Sequence, residues 1–231
     1  MEQLKVSGAM VGGLAHKIRN PLAAMKLSIE VIVAEPDLQE KDRAVLLNVV
    51  EEIRRIELLI KRFLSFARPA AAQLMTLNIN KVVDETAKFL EKQPLFAIPA
   101  TGRRIVREFA ADLPDIVGDP QQLQQVFLNL LLNAAEAMSE GTVTIKTWLD
   151  ADAAAVCVTV SDTGKGIPAA LMAQIFEPFF TTKVKGVGLG LAVAKRLVEE
   201  HGGSITVTGH QPAGATFQVV LPLNTSISGS T

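Results

Sequence analysis

Apolar residues recur every seven positions near the start of the chain: Leu4, Val11, Ile18, Met25 and Ile32, with Leu14, Leu22 and Ile29 widening the stripe. That period predicts an amphipathic helix over residues 3–34, with a seam of the kind that packs helices into bundles. Glu35-Pro36-Asp37 breaks it. A second stripe, Leu46, Ile53, Ile60 and Ala67 with Val50 and Leu64 beside them, predicts another helix over 41–67. Two long helices joined by a short turn form an antiparallel hairpin. A lone hairpin cannot bury both of its seams, so the pattern predicts a homodimer through residues 3–67 that closes a four-helix bundle.

Beyond Arg68-Pro69-Ala70-Ala71-Ala72 the grain changes to mixed α and β. Helices are predicted over 80–91, 119–138 and 189–200. In the second of these Asp119 can cap the start and Pro120 suits the first helical position. Gly202-Gly203 ends the third. Alternating or continuous apolar runs predict strands over 103–109, 142–149, 155–160, 204–209 and 216–221, with a hairpin around Asp150-Ala151-Asp152. The expected organisation is a helical hairpin (1–69), a two-layer α/β sandwich (70–223) and a disordered polar tail (224–231). No internal repeat is present.

Composition narrows the class. With 231 residues and 48% hydrophobic content the chain can bury a core, and its net charge of −1 gives no global pull toward nucleic acid or anionic membrane. The one cysteine, Cys157, lies in an apolar run and reads as a buried small hydrophobe, so no disulfide framework exists. No apolar run approaches the roughly 20 residues a membrane span needs, and no signal peptide opens the sequence. These features predict a soluble, cytosolic chain without membrane contact of its own, alternatively the cytosolic end of a longer receptor.

The candidate chemistry lies in short motifs. His16 falls on the face of the first helix opposite its seam, with Asn20 one turn further on. Pro21 gives no amide hydrogen to the Lys17 carbonyl, so a kink is expected just past His16, beside a weakened turn. Alone, His16 reads more readily as a solvent-facing residue of no consequence, and the other motifs of the chain reverse that balance. Asn129 and Asn133 sit one turn apart on an otherwise apolar helix, where two amides need partners. Their oxygens suit a Mg²⁺ that keeps waters and phosphate ligands, or else neighbouring backbone. Asp162 ends an apolar strand and opens a turn with Gly164 and Gly166. Its carboxylate can accept from an exocyclic amine such as that of adenine. Gly186, Gly188 and Gly190 lead straight into a helix, where amide hydrogens and the dipole face a phosphate. The spacing is neither a Rossmann fingerprint nor a Walker motif. Residues 166–186 read as a mobile lid whose Lys183 and Lys185 reach outer phosphates, or as a solvated loop. His201, His210 and Trp148 need no catalytic role: His201 reads as a partial positive charge at a helix end, Trp148 as packing.

In this order the motifs resemble the conserved boxes of a sensor histidine kinase of two-component systems. They are His16 to Leu22, Asn129 to Asn133, Asp162 to Gly166, Phe176 to Phe180 and Gly186 to Gly190. The resemblance covers residues 3–222 and is nearest to nitrogen-regulation-type kinases through Leu14-Ala15-His16 and Asn20-Pro21-Leu22-Ala23-Ala24. It implies a dimerisation and phosphotransfer hairpin followed by an ATP-binding sandwich of the type shared with gyrase and heat-shock chaperones. It further implies ATP and Mg²⁺ as cofactors, His16 as acceptor of the γ-phosphoryl group, Asn133 as metal ligand with Asn129 beside it, and Asp162 reading adenine in a pocket shaped by Gly164 and Gly166. Gly186, Gly188, Leu189 and Gly190 would fold over the phosphates with Lys183, and Thr216 would line the adenine site. The phosphoryl group would pass to an aspartate of a response-regulator receiver domain, and Asn20 would orient water for dephosphorylation of that partner.

Two positions depart from the family pattern. Lys17 stands where an acid normally follows the histidine, and an ammonium has no acceptor site for the imidazole proton. Lys17 compensates in part by attracting the γ-phosphate and disfavouring protonated His16, so the expectation is weak autophosphorylation or a substitution made to trap one state. Glu136 stands where many relatives place a phosphate-facing lysine. Related ATPases carry a water-activating glutamate at the position of Asn129, so simple hydrolysis is disfavoured. The remaining alternative is a kinase-impaired nucleotide-binding scaffold or response-regulator phosphatase.

Overall fold

The computed structural model describes residues 8–67, 72–92, 96, 102–183, 186, 188–209 and 213–223, with backbone alone for 8–19, 51, 54–55 and 57–67. The chain divides into two compact units, Met1–Ala71 and Ala72–Thr231. The expected disordered tail lies outside the described residues, as does His210.

The first unit is a hairpin of α1 (Gly8–Val33) and α2 (Glu40–Ala67). The helix α1 runs on through Pro21. Its last turn carries no basic residue, and Arg43 of α2 supplies one: the guanidinium donates to the carbonyls of Val33 and Glu35, the latter at 2.9 Å. The Val33 carbonyl is one that a helix end leaves without an internal partner. Leu22, Val50 and Ile53 are buried, which accounts for one side of the stripes. Met25, Leu27, Val31 and Ile32 of α1 and Val45, Leu47 and Val49 of α2 stay exposed.

The second unit is a five-stranded sheet with helices on one face. Its elements are β1 (Met75–Leu77), α3 (Ile79–Glu91), β2 (Arg103–Phe109), β3 (Ile116–Gly118), α4 (Pro120–Glu136), β4 (Gly141–Asp150), β5 (Ala155–Asp162), α5 (Gly190–Glu200), β6 (Ser204–Gly209) and β7 (Ala215–Pro222). The sheet order is β2-β4-β5-β7-β6, with β2 parallel to β4 and the other pairs antiparallel. A separate antiparallel pair, β1 with β3, has no counterpart in the sequence reading, because three-residue strands show no period.

Alternation along the strands puts Val143, Ile145, Val158, Val160, Phe217 and Val219 in the core, against Leu123, Phe127, Leu130 and Leu131 of α4. Arg107 of β2 ties α3 down, donating to both Glu91 oxygens at 2.8 and 2.9 Å and to Asp84 at 2.8 Å. On the other face Trp148 is half-buried beside Lys146 and Thr159. Cys157 is 1% exposed, and burial pushes its thiol pKa up. It therefore behaves as a small hydrophobe, as its apolar surroundings suggest.

Asp119 fixes the start of α4. Its Oδ1 accepts from the amides of Gln121 at 2.8 Å and Gln122 at 3.1 Å, and its Oδ2 from that of Gln73 at 2.7 Å. Burial alone would raise its pKa. The amides of Gln73, Gln122 and Gln121 outweigh burial and hold the carboxyl below its ordinary value. The folded pKa is thus below the unfolded one of about 3.9, so the stabilisation is complete above that pH and is lost as pH falls through the folded value. Asp119→Ala is expected to lower stability by about 1–2 kcal/mol at neutral pH. In urea unfolding the gap to the parent should narrow below about pH 4; a gap independent of pH would contradict this assignment.

Candidate functional site

Helix α4 buries one face in the core and presents Asn129, Asn133 and Glu136 along the other, since positions three and four apart share a face. Asn129 lies beside the start of α5, while Asn133 and Glu136 share one lysine. The Asn129 amide oxygen accepts from Gln125 Nε2 at 3.0 Å. A Cβ on Gly190, the first residue of α5, would lie 3.8 Å from the Asn129 side chain, so α5 begins beside it. The Asn133 Oδ1 accepts from Lys183 Nζ at 2.7 Å, and the same ammonium lies 2.6 Å from Glu136 Oε2.

Asp162 closes β5 with its side chain 5% exposed, and its Oδ1 accepts from the Gly164 amide at 2.8 Å. The turn that follows is pressed onto the end of α4. Lys165 donates its amide to the Ala137 carbonyl at 3.1 Å, and a Cβ on Gly164 would stand 2.6 Å from that oxygen. Gly166 has φ +72°, and a Cβ there would come 3.1 Å from the Gly214 carbonyl oxygen. Only glycine combines that torsion with that approach.

The segment between the turn and α5 is more anchored than a plain lid. Ile175 is buried, and the Phe176 ring stands edge-on to Phe217 at 6.3 Å. Phe179, 58% exposed, has φ +68°, and its amide donates to the Gly188 carbonyl at 2.9 Å. Gly188 has φ +69°, and a Cβ there would come 2.4 Å from the Phe180 carbonyl oxygen. Gly186 donates its amide to the Lys183 carbonyl at 3.0 Å. Leu189 is buried and leads into α5, whose first turn has no side-chain cap and no acidic residue. Uncapped amides at a helix start suit an anion.

These contacts set Gly164, Lys183 and Gly190 against α4 beside Asn129 and Asn133, while Asp162, Gly166, Gly186, Gly188 and Leu189 belong to the turns that carry them. Thr216 is not among them. It stands opposite Ser161 in the β5–β7 ladder, and the two hydroxyls are 2.6 Å apart. Successive residues of a strand point to opposite faces, so Thr216 lies on the far side of the sheet from Asp162. Ala215, opposite Asp162, takes the place expected of it. His201 has the helix-end contact expected of it and a second one: it is buried with Nδ1 2.7 Å from the Leu197 carbonyl in the last turn of α5 and Nε2 accepting the Asp119 amide at 2.9 Å. That pair of partners requires the proton on Nδ1. Two participants went unassigned in the sequence: Glu136, whose i+3 spacing from Asn133 was a usable signal, and the Ala137 carbonyl, which leaves no signal in residue type. His16 and Lys17 lie on α1, their side chains outside the described residues; Asn20 is exposed. Lys185 is outside the described residues.

Comparison with known proteins gives the same picture of both units. Residues 7–72 match the family model of the His Kinase A (phospho-acceptor) domain, and residues 118–225 that of the histidine kinase-, DNA gyrase B-, and HSP90-like ATPase. The signal transduction histidine-protein kinase AtoS of Escherichia coli (strain K12) is 35% identical over 229 residues, 96% of this chain and 36% of that one. Sporulation kinase A of Bacillus subtilis (strain 168) is 37% identical over 222 residues, 96% of this chain and 35% of that one. The chain thus spans little more than a third of these relatives. Among solved structures, full-length ShkA in complex with AMPPNP aligns with a TM-score of 0.78 at 27% identity, over 96% of this chain and 47% of that one. The complex of histidine kinase ThkA with response regulator protein TrrA aligns at 0.66 and 27%, over 96% and 64%. The chain belongs to the sensor histidine kinases and carries the helical hairpin and ATPase-type sandwich of their catalytic core. Among the described residues no helix is long and apolar enough to cross a membrane.

The glycines differ in what they tolerate. Gly188→Ala should destabilise the chain by about 1–2 kcal/mol from its left-handed backbone alone, with the Phe180 contact added. Gly190→Ala should be neutral or stabilising by up to about 1 kcal/mol. Urea unfolding of both variants checks the contrast, and equal effects would refute the loop geometry described.

Proposed function

We propose that this chain binds ATP with Mg²⁺ in the second unit, transfers the γ-phosphoryl group to His16 and passes it on to an aspartate of a response-regulator receiver domain, acting as a cytoplasmic homodimer. The observation that carries the reading is the convergence on α4 of an acidic base pocket, an uncapped helix start and a lysine held by an amide and a carboxylate, in a chain whose other unit matches a phospho-acceptor domain.

Asp162, buried and fixed by the Gly164 amide, offers its carboxylate to the exocyclic amine of adenine. Ala215 beside it leaves room for the ring. The amides at Gly188, Leu189 and Gly190 and the dipole of α5 face the phosphates. Lys183 supplies a cation to them. The donor chemistry at Asn133 fits a divalent ion, because its oxygen already holds a cation, the Lys183 ammonium. Held at Asn133 together with the nucleotide, a divalent ion would supply neutralisation of phosphate charge. His16 takes the γ-phosphoryl group on a ring nitrogen and must lose a proton. Lys17 cannot accept it, so transfer is slow, and the exposed Asn20 would orient water for dephosphorylation of the response regulator. The exposed apolar residues of α1 and α2 fit the second hairpin of a dimer.

The test is incubation with γ-labelled ATP and Mg²⁺ of the parent, His16→Ala and Lys17→Glu. Acid-labile, alkali-stable label should be faint in the parent, absent in His16→Ala, and raised in Lys17→Glu by the roughly 10²–10⁴-fold that a proton acceptor contributes. Label that persists in His16→Ala would contradict the proposal. ATP binding with no label in any version would favour the scaffold or phosphatase.

A further inference from the structure

In this structure Lys183 Nζ sits between two oxygens of α4, Asn133 Oδ1 at 2.7 Å and Glu136 Oε2 at 2.6 Å. One of them is the oxygen assigned to the metal. The other belongs to a residue with no role in the reading above. Asn133 and Glu136 are three apart on one helix face, so their oxygens converge without any distortion of α4. An amide oxygen and a carboxylate oxygen, open to water on the remaining sides, make the kind of partial shell that Mg²⁺ accepts, with waters and phosphates completing it. The side chains of Lys183 and Glu136 are 32% and 50% exposed. An ion pair so exposed is weak and readily exchanged.

Building on the ATP reading, we propose that Asn133 and Glu136 form one cation site which Lys183 occupies when no nucleotide is bound and which the divalent ion takes over with ATP. Glu136 is then a further residue of the metal site, reached directly or through a metal-bound water. Lys183 acts as a place-holder: its ammonium neutralises the Glu136 carboxylate in the empty site and blocks bare metal from entering. When the metal arrives with triphosphate, the like charges of metal and ammonium separate. The phosphates then offer the ammonium a new partner within reach of the same side chain. Entry of metal and transfer of Lys183 to phosphate are thereby coupled, and the site selects the metal–nucleotide pair over the free ion. The departure at Glu136 gains a purpose, since a lysine there would repel both occupants.

The test is Mn²⁺ binding to the full chain without nucleotide, read from the loss of the free-ion electron paramagnetic resonance signal. Lys183→Met should bind Mn²⁺ about tenfold more tightly than the parent, a modest share of what removing a charge a few ångströms away can yield. Lys183→Arg, which keeps the charge, should stay at the parent level. Adding Glu136→Gln to Lys183→Met should abolish the gain. No gain in Lys183→Met, or a gain that survives Glu136→Gln, overturns the shared site. A parallel titration of the parent with Mn²⁺ plus a non-hydrolysable ATP analogue separates the two readings. Uptake there without a gain in Lys183→Met sinks the shared site alone; no uptake sinks the nucleotide reading and this proposal with it.

Discussion

Both ends of α4 are fixed by hydrogen bonds from outside the helix, and the rest of the site is laid out from it. At the start, the Asp119 carboxylate accepts three amides while the Asp119 amide itself donates to His201 at the end of α5. At the finish, the Ala137 carbonyl accepts the Lys165 amide, so the turn after Asp162 cannot drift from the helix. Between these points Leu123, Phe127, Leu130 and Leu131 are fully buried against the sheet. A helix held at both ends and along one face has no freedom to rotate, and so Asn129, Asn133 and Glu136 share a fixed direction.

The electrostatics divide along the same line. Interactions that hold the frame are buried and fully paired: the Asp119 cap, the His201 bridge and the Asp162 contact with Gly164. The contact that the proposed cation site would exchange, Lys183 with Glu136, is exposed. Exposed ion pairs are worth about 0–1 kcal/mol, whereas breaking a buried hydrogen bond costs about 1–3 kcal/mol. The strong contacts thus sit where rigidity is needed and the weak ones where partners exchange. Phe179 adds a local strain, a non-glycine residue at φ +68° locked by its bond to Gly188.

Much of this could be read in the sequence because it is periodic or chemically marked. The Asp119-Pro120 start of α4, the β4–β5 hairpin and the Gly202-Gly203 stop follow from caps, alternation and glycine. The glycines around Asp162 and before α5 mark close backbone approaches. What could not be read depends on which face a side chain takes. Thr216 looked suited to the base pocket by motif, yet strand pairing turns it toward Ser161. His201 was legible as a partial charge at a helix end, and only the tertiary contact with Asp119 shows it also accepting a hydrogen bond. The β1–β3 pair was too short for a period. Glu136 was noticed as an exception, but its partner is 47 residues away in sequence.

The measurement that bears most directly on α4 as the common wall of a nucleotide site is amide hydrogen exchange with and without Mg²⁺ and a non-hydrolysable ATP analogue. The account predicts that exchange slows together at Gly164 and Lys165, along the last turn of α4, and at residues 188–190, while the open face of β4 around Lys146 and Trp148 is unchanged. Slowing confined to one of these segments, or none at all, would contradict it.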